Sequence, residues 1–154
     1  MDVGLNQFAA LSVANASHSA RDGSLVANPR FFRKEEKALA KAARKQSKTK
    51  RRSRERRKAN KVLARIHERI RNRRHDFTHQ LARRLVNQYG LIAVEKLNVK
   101  NMCKRPSPKE DEVTGEFLPN GARKKSGLNK SILDASWSQF RTILMQKAGY
   151  PRSG

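Results

Sequence analysis

The sequence predicts a mixed α/β chain with a long basic helical insertion, and three observations carry that expectation. Short apolar runs bounded by turn residues open the chain, as strands do. Two stretches with helical spacing follow and hold most of the positive charge. A second apolar run, a punctuated stretch and a final helical pattern then close it. The length of 154 residues is about one domain's worth. Only 36% of the residues are apolar and 6% aromatic, so the core is modest for the length.

The first 29 residues read as β. Val3 to Gln7 is short and turn-like, Phe8 to Val13 is apolar, and Leu25 to Ala27 is a brief apolar piece. Asn15 to Gly23 is polar and ends in Asp22-Gly23, a turn signal, so a hairpin with a long tip is expected. Asn28-Pro29 punctuates the chain, and Pro29 suits the first turn of a helix.

Residues 30–90 read as a basic helical insertion. Phe32, Leu39 and Ala43 recur at helical spacing, then the pattern fades from Gln46 to Ser53. Leu63, Ile66, Ile70, Phe77, Leu81 and Leu85 form a second stripe at steps of three, four and seven. An antiparallel helical hairpin or one long helix satisfies both, and Tyr89-Gly90 stops it. The stripe is core, which leaves the basic outer face free for phosphates.

Residues 91–154 read as strand, loop and helix. Leu91 to Val94 is a short apolar run fit for a strand buried on both faces. Residues 99–130 contain Pro106, Pro108 and Pro119, three glycines and mixed charge, and are expected to form a long loop. The last helix is placed from Ser131, where Ser131 to Asp134 fits a capping box. Leu133, Trp137, Phe140 and Leu144 share one of its faces, and Gly149-Tyr150-Pro151 ends it. Trp137 and Phe140 could stack on bases, but that spacing makes them core.

The charge is concentrated. Lys and Arg total 36 against 13 Asp and Glu, a net +23 that attracts polyanions. Arg30 to Lys58 alone holds fifteen basic residues against Glu35, Glu36 and Glu55, and Lys61 to Arg84 holds eight more. The first 29 residues hold Arg21 alone. Like-charge blocks of this kind are solvated arms or faces that bind nucleic acid. The strongest candidates are Lys48, Lys50, Arg51, Arg52, Arg54, Arg56, Arg57 and Lys58. Such contacts position a nucleic acid without reading its sequence.

Other classes drop out. The single Cys103 excludes a disulfide scaffold and an all-cysteine zinc site built by these residues alone. No apolar run approaches the roughly 20 residues that span a bilayer, and Met1 to Gly4 lacks a signal-peptide pattern. The expectation is a cytoplasmic, nucleoid-associated protein with no membrane partner. A basic helix lying on anionic lipid is disfavoured, because its apolar stripe has a partner in the sheet.

Two carboxylates stand at telling places: Asp2 precedes the first extended segment, and Glu95 directly follows Leu91 to Val94. Acids side by side on adjacent strands can hold Mg²⁺ through hard oxygen ligands, as two-metal nucleases require. Asp134 as a further acid is explained by its capping position. His75 and His79, four apart on one helical face, have zinc-ligand spacing but no third ligand, so an exposed pair is expected.

Four stretches resemble one family in order along nearly the whole chain. Asp2 to Ser12 (DVGLNQFAALS) resembles the first catalytic strand of the TnpB (OrfB-type) transposon proteins. Asn28 to Lys34 (NPRFFRK) and the basic helices look like the helical region those proteins insert after that hairpin. Leu91 to Met102 (LIAVEKLNVKNM) resembles the strand bearing their second catalytic acid, and Lys125 to Phe140 (KSGLNKSILDASWSQF) the helix that follows.

The resemblance implies an incomplete RNase H-like (RuvC-like) domain and a parent activity of RNA-guided, Mg²⁺-dependent DNA cleavage, with DNA and guide RNA as partners. By it, Asp2 and Glu95 are metal-binding catalytic acids, and the basic helices lie near the guide–target heteroduplex. The departures from the family pattern imply a segment truncated at both ends. Nothing after Asp134 matches the Asp-Arg-Asp-like motif that carries the third acid, and the paired cysteines of the zinc ribbon are missing. The chain is therefore expected to bind nucleic acid with little or no cleavage. The rival reading is a stand-alone basic nucleic-acid-binding protein in which Glu95 is incidental.

Overall fold

The computed structural model describes residues 1–12 and 23–149. The tip of the first hairpin (Val13 to Asp22) and the expected stop at Tyr150-Pro151 lie outside them. Among the described residues the protein is mixed α/β, with two small sheets and a long helix, and it divides into two compact units. One comprises Met1–Asn28 with Ala93–Ser138, the other Pro29–Ile92 with the described residues from Gln139 onward.

In the first unit, β1 (Asp2–Val3), β2 (Gln7–Ser12) and β3 (Gly23–Ala27) form an antiparallel sheet in that order. Asp2 pairs with Ala10, and Ala9 pairs with Val3 on one side and Val26 on the other. The register shifts between Gln7 and Ala9, and Phe8 at that irregularity is buried together with Ala9. Asn28 Nδ2 donates to Leu5 O at 2.9 Å, which ties the turn between β1 and β2 to the chain leaving the sheet.

In the second unit, α1 (Phe31–Ser47) and α2 (Arg54–Gln88) form the antiparallel hairpin. Pro29, expected in the first turn, lies before it: the helix begins two residues later, at Phe31. Arg30 is the N-cap, with φ 50°, and offers no capping side chain. Opposed pairs run along the hairpin: Phe31 against Phe77 edge to face at 6.0 Å, Arg73 Nη1 donating to Glu35 Oε1 at 3.2 Å, and Gln46 Nε2 donating to Asn60 Oδ1 at 2.8 Å. Leu39 and Ala42 are the buried residues of α1, so the inward face falls on Ala42 and not on the expected Ala43. The 35 residues of α2 span about 52 Å at 1.5 Å per residue. Ile70, Leu81 and Leu85 are buried, whereas Leu63, Ile66 and Phe77 are half-buried.

Three expectations for the remainder are corrected. Residues 91–98 carry no regular secondary structure and join no sheet among the described residues, and Leu91 is 85% exposed. Ile92 and Val94 are half-buried while Leu91, Ala93 and Glu95 are exposed. This is the alternation of a segment covered on one side, not of a strand buried on both. Residues 99–130 are not one loop. They contain α3 (Val99–Met102), a hairpin of β4 (Lys109–Glu110) and β5 (Phe117–Leu118), and the start of α4 (Ala122–Ala135). Val113 N and Gly115 N donate to Asp111 Oδ1 and O, both at 2.9 Å, and Gly115 takes φ 69°, which closes that hairpin locally.

The last expected helix is two helices. Ser131 and Asp134 lie inside α4, whose N-cap is Gly121, so there is no capping box; Asp134 is buried in its last turn. Ser136, at φ 53°, breaks the run before α5 (Trp137–Lys147). Trp137, Phe140 and Leu144 are buried as expected, but Leu133 lies before the break and is exposed.

Candidate nucleic-acid interface

The turn between α1 and α2 is closed by its own hydroxyls. Thr49 N and Oγ1 both donate to Gln46 O, at 3.1 and 2.6 Å. Ser53 Oγ donates to Lys50 O at 2.8 Å and accepts from Arg56 N at 3.1 Å, capping α2. Arg52 adopts φ 64°, a left-handed conformation uncommon outside glycine. These bonds hold a run of cations at a bend.

The eight basic residues singled out in the sequence lie together on this turn and the first turns of α2, but they are not equivalent. Arg56 faces inward and is half-buried. Its Nη1 donates to Gln46 O at 3.1 Å and Thr49 O at 2.9 Å, so it binds the turn together. Lys58 pairs with Glu55 at 3.0 Å across the surface. Lys48, Lys50, Arg51, Arg52, Arg54 and Arg57 are exposed, and none joins an ion pair among the described residues. A cleft of about 370 Å³ opens here, lined by Arg51, Arg52, Ser53, Arg56, Arg57 and Asn60. Asn60 was not legible as part of the site, because only the folded turn brings it beside residues seven to nine positions earlier. The helix amino terminus adds its partial positive charge.

Asp2 and Glu95 belong to the same unit, and both are exposed. The α-amino nitrogen of Met1 donates to Ala93 O at 2.9 Å. The chain carrying Asp2 thus touches the segment carrying Glu95. Among the described residues no group of three or more His, Cys, Asp or Glu converges as a metal site. Two carboxylates fall short of a hard-oxygen cage for Mg²⁺, so the metal fit is incomplete within these residues.

His75 and His79 face each other, with Nε2 atoms 3.1 Å apart and ring centroids at 4.2 Å. Burial first, then the charges of His75 and Lys147, hold His79 below the ordinary imidazole value, against the opposite pull of Asp76.

Fold and surface together define a strongly basic α/β protein with a cation-rich helical hairpin and a small sheet bearing an exposed acid. Residues 1–105 match the family OrfB_IS605, described as "Probable transposase", and the chain belongs to that family. It is 30% identical over 147 residues to InsQ of Escherichia coli (strain K12), whose name describes an RNA-guided DNA endonuclease; the match covers 96% of this chain and 33% of that protein. A protein of Streptomyces pristinaespiralis with the same description is 31% identical over 150 residues, 97% of this chain and 30% of its own length. The chain thus spans about a third of the length of these relatives. Among the described residues no helix is long and apolar enough to cross a membrane.

Proposed function

We propose that these 154 residues are the nucleic-acid-holding part of an RNA-guided, metal-dependent DNA endonuclease of the transposon type. The observation that carries this reading is the set of six exposed, unpaired cations on a turn fixed by internal hydrogen bonds. Held on a shaped surface, such cations displace the counterions condensed on nucleic-acid phosphates, and the names of the relatives supply RNA and DNA as the polyanions.

In this reading residues 1–29 and 91–154 derive from a RuvC-like domain, and residues 30–90 are its basic insertion. Asp2 and Glu95 are two of the acids that bind the catalytic metal in the parent nuclease. The contact of Met1 with Ala93 supports their placement on neighbouring segments. In this reading the 154-residue chain binds nucleic acid without cutting it, which is supported by the lack, among the described residues, of a convergent group of three or more His, Cys, Asp or Glu.

The test is to incubate the chain with supercoiled plasmid and Mg²⁺ while measuring binding of a labelled duplex. Binding without nicking is expected. Mg²⁺-dependent nicking that disappears in both Asp2→Ala and Glu95→Ala would overturn the claim of catalytic incompleteness. Flotation of the protein with anionic vesicles, and no duplex binding, would overturn the nucleic-acid reading itself.

A further inference from the structure

A second cationic cleft lies in the other unit, where the chain beyond α3 meets the first turns of α4. Its volume is about 490 Å³, and its lining includes Arg105, Pro106, Arg123, Lys125, Ser126 and Asn129. Every ionised side chain in the lining is a cation. None of Arg105, Arg123 and Lys125 joins an ion pair or a side-chain hydrogen bond among the described residues. Three like charges drawn to one concavity repel each other, and an anion between them relieves that repulsion.

The walls of the cleft are fixed. Asn129 Nδ2 donates to Cys103 O at 2.8 Å, which fastens α4 to the end of α3. Asn120 Nδ2 donates to Ser107 O at 2.9 Å, while its Oδ1 accepts from Ala122 N at 3.1 Å at the start of α4. Arg105 thereby lines the same cleft as Arg123 and Lys125, although the β4–β5 hairpin separates them in the chain. A concavity of this size matches clefts that enclose one small-molecule-sized group. A duplex is too broad to enter it.

We propose that this cleft binds the phosphodiester backbone of a single nucleic-acid strand, through Arg105, Arg123 and Lys125. The inference rests on the nucleic-acid reading above and adds a second contact, in the unit that carries Asp2 and Glu95. A strand seated there and a duplex on the α1–α2 turn are held by different units of the protein.

The experiment is fluorescence anisotropy of a labelled single-stranded oligonucleotide across a salt series. It compares the unaltered chain, Arg105→Ala/Arg123→Ala/Lys125→Ala, and a control of equal charge, Lys34→Ala/Lys37→Ala/Lys41→Ala on α1. Each strand phosphate contact contributes about 0.7 to the logarithmic salt slope, so the cleft variant loses about 2 units of slope and about a hundredfold in affinity at 0.1 M salt. The control loses about tenfold or less. Arg105→Lys/Arg123→Lys keeps its affinity within about threefold, because the phosphate contacts need charge before geometry.

Equal losses in the cleft variant and the control would overturn the cleft while leaving the nucleic-acid reading intact. Failure of the unaltered chain to bind any oligonucleotide would overturn both. Should the triple variant melt below the unaltered chain, Arg105→Ala and Lys125→Ala taken singly decide the matter. Each is expected to lose about fivefold, and no loss in either contradicts the cleft.

Discussion

The α-amino nitrogen of Met1 and the carbonyl oxygen of Ala93 meet at 2.9 Å across 92 positions of sequence. That bond closes the first unit. It joins the edge of the β1–β2–β3 sheet to the segment that returns after the long helical hairpin. Asp2 follows one of its partners directly, and Glu95 stands two residues beyond the other. The two carboxylates therefore lie on neighbouring stretches of chain, although 92 residues separate them in sequence.

Leu85 and Leu91 separate core from surface. Leu85 is 1% exposed on the inner face of α2, and Leu91 projects into solvent. Leu85→Ala is expected to cost about 2–5 kcal/mol through lost burial and an unfilled cavity. Leu91→Ala should change stability by no more than about 0.5 kcal/mol. Urea melts of the two variants check this, and similar losses would place Leu91 in a core.

Arg56 holds the interhelical turn through its bonds to Gln46 O and Thr49 O. Removing a charged donor from two carbonyls at a half-buried position is expected to cost about 1–2 kcal/mol. Arg56→Ala should therefore lower the melting temperature clearly. Arg57→Ala should leave it nearly unchanged and weaken duplex binding instead. Thermal melts paired with anisotropy check the division, and the reverse pattern would contradict it.

His79 gives the protein a pH dependence of definite sign. Its folded pKa lies below the unfolded 6.5, through burial first and then the charges of His75 and Lys147. The unfolded chain thus takes up a proton at higher pH than the folded one does. The contribution is fully present above 6.5 and is lost as pH falls through the lower folded value. The site is near the surface, so the effect is small. NMR titration of the His79 ring should give a midpoint below 6.5, and His75→Ala should move it upward.

Much of this was legible in the sequence because it rests on local pattern. The helical hairpin follows from the spacing of Leu39, Ile70, Leu81 and Leu85. The expected stop at Tyr89-Gly90 is where α2 ends, with Tyr89 as its C-cap. The basic cluster needed only a count of charges. What failed depended on partners elsewhere in the chain. Leu91 to Val94 has the composition of a buried strand, but a strand is made by its neighbours, and one backbone bond from Met1 is not a ladder. Ser131 to Asp134 fits a capping box by residue type, yet the helix had already begun at Ala122, and the break came at Ser136. The site divided in the same way. Composition found the cations, but only folded geometry shows that Arg56 is bound to carbonyls while Arg51, Arg52 and Arg57 are free. The cleft of Arg105, Arg123 and Lys125 left no sequence signal, because a hairpin separates its members.

The most direct test of the central claim is the salt dependence of duplex binding, with the unaltered chain compared to Arg51→Ala/Arg52→Ala/Arg57→Ala. Six phosphate contacts predict a loss of about a thousandfold in affinity between 50 and 200 mM salt, and the triple variant should lower the logarithmic slope by about three. Affinity that ignores salt, or a variant that keeps the full slope, would contradict the account.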